Sequence, residues 1–159
     1  MNITGLKTIH GPLSLNIGTI KKTEHPGPEE RVGWGAIGFK IELNGSTIVN
    51  LGDTLLHLED WQAIKNAHVL MLPIGGREAH NTMDETAALQ AVKGLKPKIV
   101  IPCHYNVPAL FTKENGKADE AMFKIQAEKL GSECRILKYG DEIEVYRKGA
   151  APDNAHLNK

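Results

Sequence analysis

Alternating and continuous apolar runs along the chain predict most of its secondary structure. AIGFKIEL and STIVNLG alternate apolar and polar positions on either side of Asn44-Gly45, the dipeptide that most favours a two-residue hairpin turn. This pattern predicts antiparallel strands at about 36–43 and 46–51. Upstream, one β-like run extends from Leu15 to Thr23, and a Gly- and Pro-rich loop follows it.

The second half of the chain alternates predicted strands with predicted helices. HVLMLPIG and KIVIPC are continuous apolar runs, which is typical of central strands buried on both faces. ETAALQAVKGL predicts a helix, and Thr82-Met-Asp-Glu85 before it fits a capping box with Thr82 as the cap. Shorter elements are predicted around these, namely a helix at 59–67 and strands at CRIL and EIEVY.

A last predicted helix, from Asp119 to Leu130, completes the pattern and is amphipathic. Its apolar side would consist of Met122, Ile125, Ala127 and Leu130. Strands and helices in this order predict an α/β (α+β) fold, a mixed sheet with flanking helices, in a single domain at residues 1–147. The polar residues 148–159 predict a disordered tail.

Composition narrows the class of protein. The 159 residues include 19 Lys and Arg against 19 Asp and Glu, so the zero net charge offers no attraction to nucleic acid or to an anionic membrane surface. No apolar run approaches the roughly 18 residues of a spanning helix, and MNITGLKTIHG lacks the pattern of a secretory signal. Two cysteines form neither a disulfide framework nor a zinc module, and a cytoplasmic location is the resulting expectation.

Candidate chemistry clusters where predicted strands end. Asp53, followed by Thr54, comes just after one strand, and His104 comes just after another. Ligands gather outside the carboxyl ends of strands in open α/β sheets, so these side chains can converge on one point. A carboxylate and a neutral imidazole are good ligands for zinc, manganese or iron, and such an ion activates water. His25, after the run IGTIKKTE, is a third candidate ligand.

Other polar residues allow less specific interpretations. Cys103 beside His104 resembles a thiol–base pair, but adjacent strand residues point to opposite faces, so Cys103 is better explained as a small buried residue. Asp53 can also cap a turn, and His104 can be a structural histidine. His80, in the polar loop REAHNT, and Trp34, in GWG, can each border a pocket.

The order of these segments resembles the C-terminal half of the metallo-β-lactamase superfamily. GFKIELNG, IVNLGDT, LMLPIGG, NTMDETA and LKPKIVIPCHYN follow one another as in that superfamily's predicted metal-dependent hydrolases, over roughly residues 15–146. The resemblance implies half of an αββα sandwich and hydrolysis of an ester, amide or phosphodiester by metal-activated water. It makes Asp53 the bridging and catalytic metal ligand, His104 a ligand of the second metal, and His25 a ligand of the first metal. His10 is the rival of His25 for that last role.

The main metal motif of that superfamily, His-x-His-x-Asp-His, is missing from the chain. The seven histidines never lie two positions apart; they are residues 10, 25, 57, 68, 80, 104 and 156. The resemblance therefore implies an incomplete ligand set for a divalent metal, zinc first with manganese or iron as alternatives, and supporting contacts from Thr54 and Tyr105. The sheet face that should pack on the missing half would be apolar and exposed. This predicts a partner chain that supplies the N-terminal half, or a homo-oligomer.

Three functions stay open at this point. The first is a metal-dependent hydrolase of a small-molecule substrate, present as a split-gene half, a truncated remnant or a self-completing copy. The second is a non-catalytic interaction or structural domain that uses the exposed sheet face for assembly. The third is a small-molecule-binding domain that uses Gly75-Gly76, although no fuller phosphate-binding pattern accompanies that turn.

Overall fold

The computed structural model describes residues 1–24, 36–76, 81–106 and 117–145. The described residues form eight strands and two α-helices; six strands come first, and helices and strands alternate after them. In chain order these elements are β1 (Asn2–Lys7), β2 (Leu13–Ile17), β3 (Ile20–Glu24), β4 (Ile37–Leu43), β5 (Ser46–Asn50), β6 (Val69–Pro73), α1 (Glu85–Leu95), β7 (Ile99–Cys103), α2 (Glu120–Lys129) and β8 (Glu133–Cys134).

Six of these strands form one mixed sheet, which confirms the predicted fold class. The strand order is β1-β4-β5-β6-β7-β8, and β2 pairs with β3 in a separate two-stranded sheet. The neighbours β1, β4 and β5 run antiparallel, whereas β5, β6, β7 and β8 run parallel. The two continuous apolar runs became β6 and β7, which lie inside the sheet as their pattern predicted.

The predicted hairpin is confirmed at Asn44-Gly45. β4 pairs with β5 up to the Leu43–Ser46 pair, and both turn residues have positive φ, 49° for Asn44 and 77° for Gly45. Two positive φ values are those of a type I′ turn, which suits the twist of paired strands. The upstream run was wrongly predicted as one strand. It turns back at Gly18, whose φ of 56° favours glycine, so that β2 and β3 form a second hairpin.

The core lies on one face of the six-stranded sheet, under the two helices. Fully buried Leu70, Leu72 and Val100 of β6 and β7 join one apolar cluster with residues of α1, α2 and the 51–67 segment. Trp61 is part of this cluster, and its indole N–H donates to the carbonyl of Lys7 at 2.9 Å. The helices thus cover one face of the sheet, which is half of a layered sandwich.

The predicted apolar side of α2 is confirmed for Ala127 and wrong for Ile125 and Leu130. The residues of α2 that are buried are Phe123 and Ala127, whereas Ile125 and Leu130 are 54% and 40% exposed. Phe123 and Ala127 lie four positions apart, so they share one side of the helix and face the sheet together. Ile125 lies about 200° around the helix from Phe123 and therefore points away from the core.

The predicted capping box is also wrong. Helix α1 begins at Glu85 and its N-cap is Asp84, whose carboxylate accepts the Ala87 N–H at 2.8 Å. Thr82 is buried and bonds elsewhere, and Glu85 accepts the Asp119 N–H at 3.0 Å instead of reaching back. An aspartate directly before the helix is a strong cap by itself, so it displaces the threonine pattern.

Two shorter predictions fail in their details. The predicted helix at 59–67 is a single 3₁₀ turn at Gln62–Ile64, because its chain is held by short i to i+3 bonds rather than by a helical ladder. CRIL contributes only Cys134 to β8, and residues 142–145 of EIEVY are not a strand, since alternation alone supplies no neighbour to pair with. Tyr146 and the predicted tail lie outside the described residues.

The sheet face opposite the helices carries exposed apolar side chains. Register pairs place six apolar residues on this face, which we call the open sheet face: Ile3, Ile37, Phe39 and Leu43, which are exposed, and Ile41 and Ile48, which are half-buried. Ile3 and Ile37 are 58% and 53% exposed, and Phe39 and Leu43 are 42% and 44% exposed. The expectation of an apolar, exposed sheet face agrees with these positions.

Neither described helix fits a membrane-spanning role. α1 has 11 residues and α2 has 10, and within the described ranges no helix is long and apolar enough to cross a bilayer.

Candidate functional site

Asp53 and His104 meet at the carboxyl end of the parallel strands. His104 follows β7 directly, and Asp53 lies three residues beyond the end of β5. The Oδ2 atom of Asp53 lies 3.2 Å from Nε2 of His104, with side chains that are 43% and 36% exposed. Two side chains from separate strand ends are thus brought into direct contact, as their sequence positions predicted, at a place that solvent can reach.

The main chain around this pair adopts left-handed conformations that favour glycine. His104 has φ of 49° and Asn106 has φ of 53°, and a non-glycine residue there costs roughly 1–2 kcal/mol. The Asn106 amide ties this turn to the start of α2, since Oδ1 accepts the Ala118 N–H and Nδ2 donates to Glu120 Oε2, both at 3.3 Å. Strained positions of this kind occur most often at functional sites.

Thr54 anchors the loop that carries Asp53. Its hydroxyl oxygen accepts the Ile9 N–H at 2.9 Å, and the Leu55 N–H donates to the Ile9 carbonyl at 2.7 Å. Just before Asp53, Gly52 has φ of 62° and donates its N–H to the Asn50 side chain at 2.9 Å. The loop is therefore held on both sides of the Asp53 carboxylate.

The same contacts place His10 close to this loop. His10 follows Ile9, whose main chain bonds to both Thr54 and Leu55. Nδ1 of His10 lies 2.8 Å from the Gly11 carbonyl, and because a carbonyl can only accept, Nδ1 carries the proton. The lone pair on Nε2 is left for another partner, which is the tautomer that many metal-binding histidines adopt.

Cys103 is a protonated thiol beside the pair. Burial raises its pKa from the ordinary 9.0 to about 11, and the nearby negative charge of Asp53 adds to this rise. A neutral thiol is a weak nucleophile, so the structure favours the interpretation of Cys103 as a small packed residue. Tyr105 is half-buried against the core, and burial together with Glu120 raises the pKa of its phenol.

Two glycines after β6 lie directly against the main chain of residues 82–84. Gly75 forms an isolated β-bridge with Asp84, and the Gly76 N–H donates to the Met83 carbonyl at 3.0 Å. A Cβ atom on Gly76 would lie 1.9 Å from the Thr82 carbonyl oxygen, which no side chain can accommodate. The Gly75-Gly76 dipeptide therefore permits a close approach of two chain segments, and nothing in its contacts suggests a phosphate cradle.

The structure tests only part of the predicted site. It brings Asp53 and His104 together, with Thr54 behind them and Tyr105 next to them in sequence, whereas His25, His80 and Trp34 lie outside the described residues. Among residues that are described, no three His, Cys, Asp or Glu side chains are grouped so that they could hold a metal ion. Sequence reasoning assigned Thr82 to a helix cap because of its spacing to Glu85, and so missed its hydrogen bonds to the Thr54 main chain.

Comparison with known proteins identifies relatives of this arrangement. A family model described as "Beta-lactamase superfamily domain" matches residues 4–104. A UPF0173 metal-dependent hydrolase from Nanoarchaeum equitans is 41% identical over 111 residues, which cover 68% of this chain and 47% of that protein. One from Pelotomaculum thermopropionicum is 39% identical over 122 residues, which cover 75% of this chain and 50% of that protein. The chain thus spans about half the length of the curated relatives it matches.

Solved structures agree with the fold. The metallo hydrolase Igni18 from Ignicoccus hospitalis superposes with a TM-score of 0.56 at 35% identity, over 66% of this chain and 43% of that one. The metallo-β-lactamase fold protein YhfI from Bacillus subtilis has a TM-score of 0.53 at 16% identity, over 86% and 46%, which supports the fold alone. In both cases the match covers less than half of the neighbour.

The first prediction concerns the close main-chain approach at Gly76. Gly76→Ala should lower the free energy of unfolding by about 1–3 kcal/mol, because the added methyl group forces apart two main-chain segments. Urea unfolding measures this loss. Gly5→Ala is the matched control, since its Cβ would approach only the mobile end of Ile37, 3.0 Å away at Cδ1. Equal stability of the two variants would contradict the close approach at Gly76.

The second prediction concerns the thiol. With a pKa of about 11 in place of 9.0, the thiolate fraction of Cys103 at pH 8 falls about a hundredfold, so iodoacetamide should alkylate it far more slowly than in the urea-unfolded chain. Mass spectrometry of the Cys103 peptide measures the rate. The unfolded chain releases this proton near pH 9, whereas the folded chain keeps it up to about pH 11. The free energy of unfolding should therefore fall as the pH rises from 9 to 11. Rapid alkylation at pH 8 in the folded state would refute the assigned protonation.

Proposed function

The chain belongs to the β-lactamase superfamily, and on this basis we propose that it forms the part of a metal-dependent hydrolase that contributes Asp53 and His104 to the metal site. One observation carries the proposal, the 3.2 Å approach of the Asp53 carboxylate to the His104 imidazole at the carboxyl end of the parallel strands. The names of the relatives, metal-dependent hydrolases, support it.

The donor set of the described residues fits part of such a site. One carboxylate and one imidazole suit zinc, manganese or iron, and zinc is the ion we expect first. Two ligands do not close a tetrahedral shell, and no third one joins them among the described residues. A bound divalent ion would lower the pKa of a coordinated water toward about 7 and so supply the nucleophile for an ester, amide or phosphodiester.

Two histidines of this chain, His25 and His10, stay open as the source of a further ligand. Ile9 and Leu55 exchange a main-chain bond of 2.7 Å, so the segment that carries His10 runs beside the Asp53 loop. The Nδ1–H of His10 donates to the Gly11 carbonyl, which leaves the Nε2 lone pair available to bind a metal ion. His10 is not grouped with Asp53 and His104 as the described residues stand, and His25, the ligand expected from the family resemblance, lies outside the described residues.

The open sheet face indicates where the remaining ligands would come from. Register pairs continue the same side of the sheet through Ile48, Val69 and Ile99, of which Val69 is buried, and alternation along β7 puts Cys103 on that side too. Cys103 ends β7 and is followed directly by His104, so the candidate site lies near the end of this face. We propose that a second β-layer, equivalent to the part of the relatives outside the match, packs there and carries the other ligands.

A non-catalytic interaction domain is the second candidate function. It is favoured by the exposed apolar residues of the open sheet face and by the lack of a third described ligand beside Asp53 and His104. In that case the sheet face would mediate assembly and the Asp53–His104 contact would be an ordinary hydrogen bond. Metal binding distinguishes the two candidates.

The third prediction is therefore a metal measurement. The purified chain should bind zinc, manganese or iron, and Asp53→Ala and His104→Ala should each weaken this binding by at least about tenfold, because each removes a ligand. Elemental analysis after gel filtration gives the stoichiometry, and calorimetric titration gives the affinity.

A matched control is available elsewhere in the chain. His57 Nδ1 and Asp60 Oδ2 also lie 3.2 Å apart, but Asp60 is bonded to Lys7 Nζ at 3.0 Å. This cation lowers the pKa of Asp60 and occupies its carboxylate, so His57→Ala and Asp60→Ala should leave metal binding unchanged. Metal-free wild-type protein, or equal losses in both pairs of variants, would favour the interaction domain.

The fourth prediction concerns the second layer. The part of the Nanoarchaeum equitans relative that lies outside its match should bind this chain, and Phe39→Asp should weaken that complex at least about tenfold by placing a charge on the apolar face. Ile125→Asp, on an exposed side of α2, is the control. Sedimentation measures the complex. Failure to bind, or self-association of this chain through the same face, would overturn the proposed partner.

A further inference from the structure

One buried hydroxyl holds the main chain of the residue that follows Asp53. The Thr54 N–H donates to Thr82 Oγ1 at 3.1 Å, and the Thr82 hydroxyl donates to the Thr54 carbonyl at 3.1 Å. Both threonines are almost completely buried, at 0% and 3% exposure. A single side chain thus occupies both main-chain polar groups of Thr54, in surroundings where water cannot replace either bond.

This contact joins three segments of the chain at one point. The Met83 N–H also donates to the Thr54 carbonyl, at 2.8 Å, and the Thr54 hydroxyl accepts the Ile9 N–H on the other side. The Thr54 hydroxyl can itself donate to the Leu55 carbonyl at 2.9 Å. The segments 8–11, 53–55 and 81–83 are therefore fixed to one another through Thr54.

Contacts other than those with Thr54 also fix the position of Thr82. Its carbonyl lies against Gly76, so closely that a Cβ atom there would be 1.9 Å from it, and Asp84 performs the capping of α1. Thr82 has no capping role, and its hydroxyl is directed to Thr54 instead. The Asp53 loop belongs to no helix or strand, so this pair of bonds is one of the contacts that fix where the Asp53 carboxylate lies.

We propose that Thr82 is a positioning residue, which acts through the Thr54 main chain to hold Asp53 against His104. The inference rests on the proposed function only for its effect on metal affinity, since the position of Asp53 can be measured without a metal. Groups behind metal ligands typically change affinity by about 10–100-fold when they are removed, because they fix the direction of the ligand.

The test compares Thr82→Val, which keeps the shape and removes the hydroxyl, with Thr82→Ser, which keeps the hydroxyl. Thr8→Val is the matched control, because Thr8 is also a buried threonine but its hydroxyl finds no hydrogen-bond partner among the described residues. NMR spectra of metal-free protein report the Asp53 amide and the His104 ring signals. We expect Thr82→Val to shift both and to weaken the nuclear Overhauser contacts between the two side chains, while Thr82→Ser and Thr8→Val leave them near wild type.

Zinc titration of the same variants gives the second readout. Thr82→Val should weaken zinc binding by about 10–100-fold, and Thr82→Ser should restore most of the loss. If Thr82→Val melts at a lower temperature but keeps wild-type Asp53 and His104 signals, Thr82 is merely structural and the inference is wrong. If wild-type protein binds no zinc, the proposed function fails, and the NMR comparison still decides the inference.

Hydrogen exchange in the wild-type chain covers the case in which Thr82→Val does not fold. The Thr54 amide should exchange as slowly as amides of β6 and β7, because Thr82 occupies it in the folded state. Exchange as rapid as that of an exposed turn such as Tyr139–Gly140 would show that the hydroxyl does not hold this main chain, and would overturn the proposal.

Discussion

The parallel pairing of β5, β6 and β7 is the constraint on which the candidate site depends. Parallel strands end at the same edge of a sheet, so residues that follow different strands are delivered to one place. β6 separates β5 from β7, and the loop after β5 must cross the end of β6 before Asp53 reaches His104. The positive φ of Gly52 and the buried anchor at Thr54 direct this crossing.

The sequence predicted what periodicity and turn chemistry control. The Asn44-Gly45 hairpin, the buried strands β6 and β7, the helix ETAALQAVKGL and the contact between Asp53 and His104 all follow from local pattern and strand direction. The polar residues after strands were informative because parallel strands share an edge. These features need no knowledge of which side chains meet in the core.

Tertiary contacts decided what the sequence left out. The α2 sequence has two apolar stripes, and either could be buried if the helix rotated about its axis. Packing against the sheet buries the stripe that contains Phe123. The capping box failed because Asp84 and Thr82 were both suitable caps, and the buried carbonyl and N–H of Thr54 provided a partner for Thr82 that no local pattern reveals. The close approach at Gly76 is likewise visible only in three dimensions.

A single missing layer would account for both the open sheet face and the incomplete set of metal ligands. The open sheet face lies opposite the helices, the Asp53–His104 pair lies at the carboxyl end of the parallel strands, and the relatives are about twice as long as the part they share with this chain. An apolar sheet face and a candidate site with two described ligands are what one layer of a two-layer domain would present. Asp53 and His104 would then lie at the rim where the two layers meet.

The most direct measurement of the central claim is an anomalous difference map from crystals of the chain grown with zinc. The account predicts a peak about 2.0–2.2 Å from both the Asp53 carboxylate and His104 Nε2. A map at saturating zinc without a peak between these two side chains would contradict it.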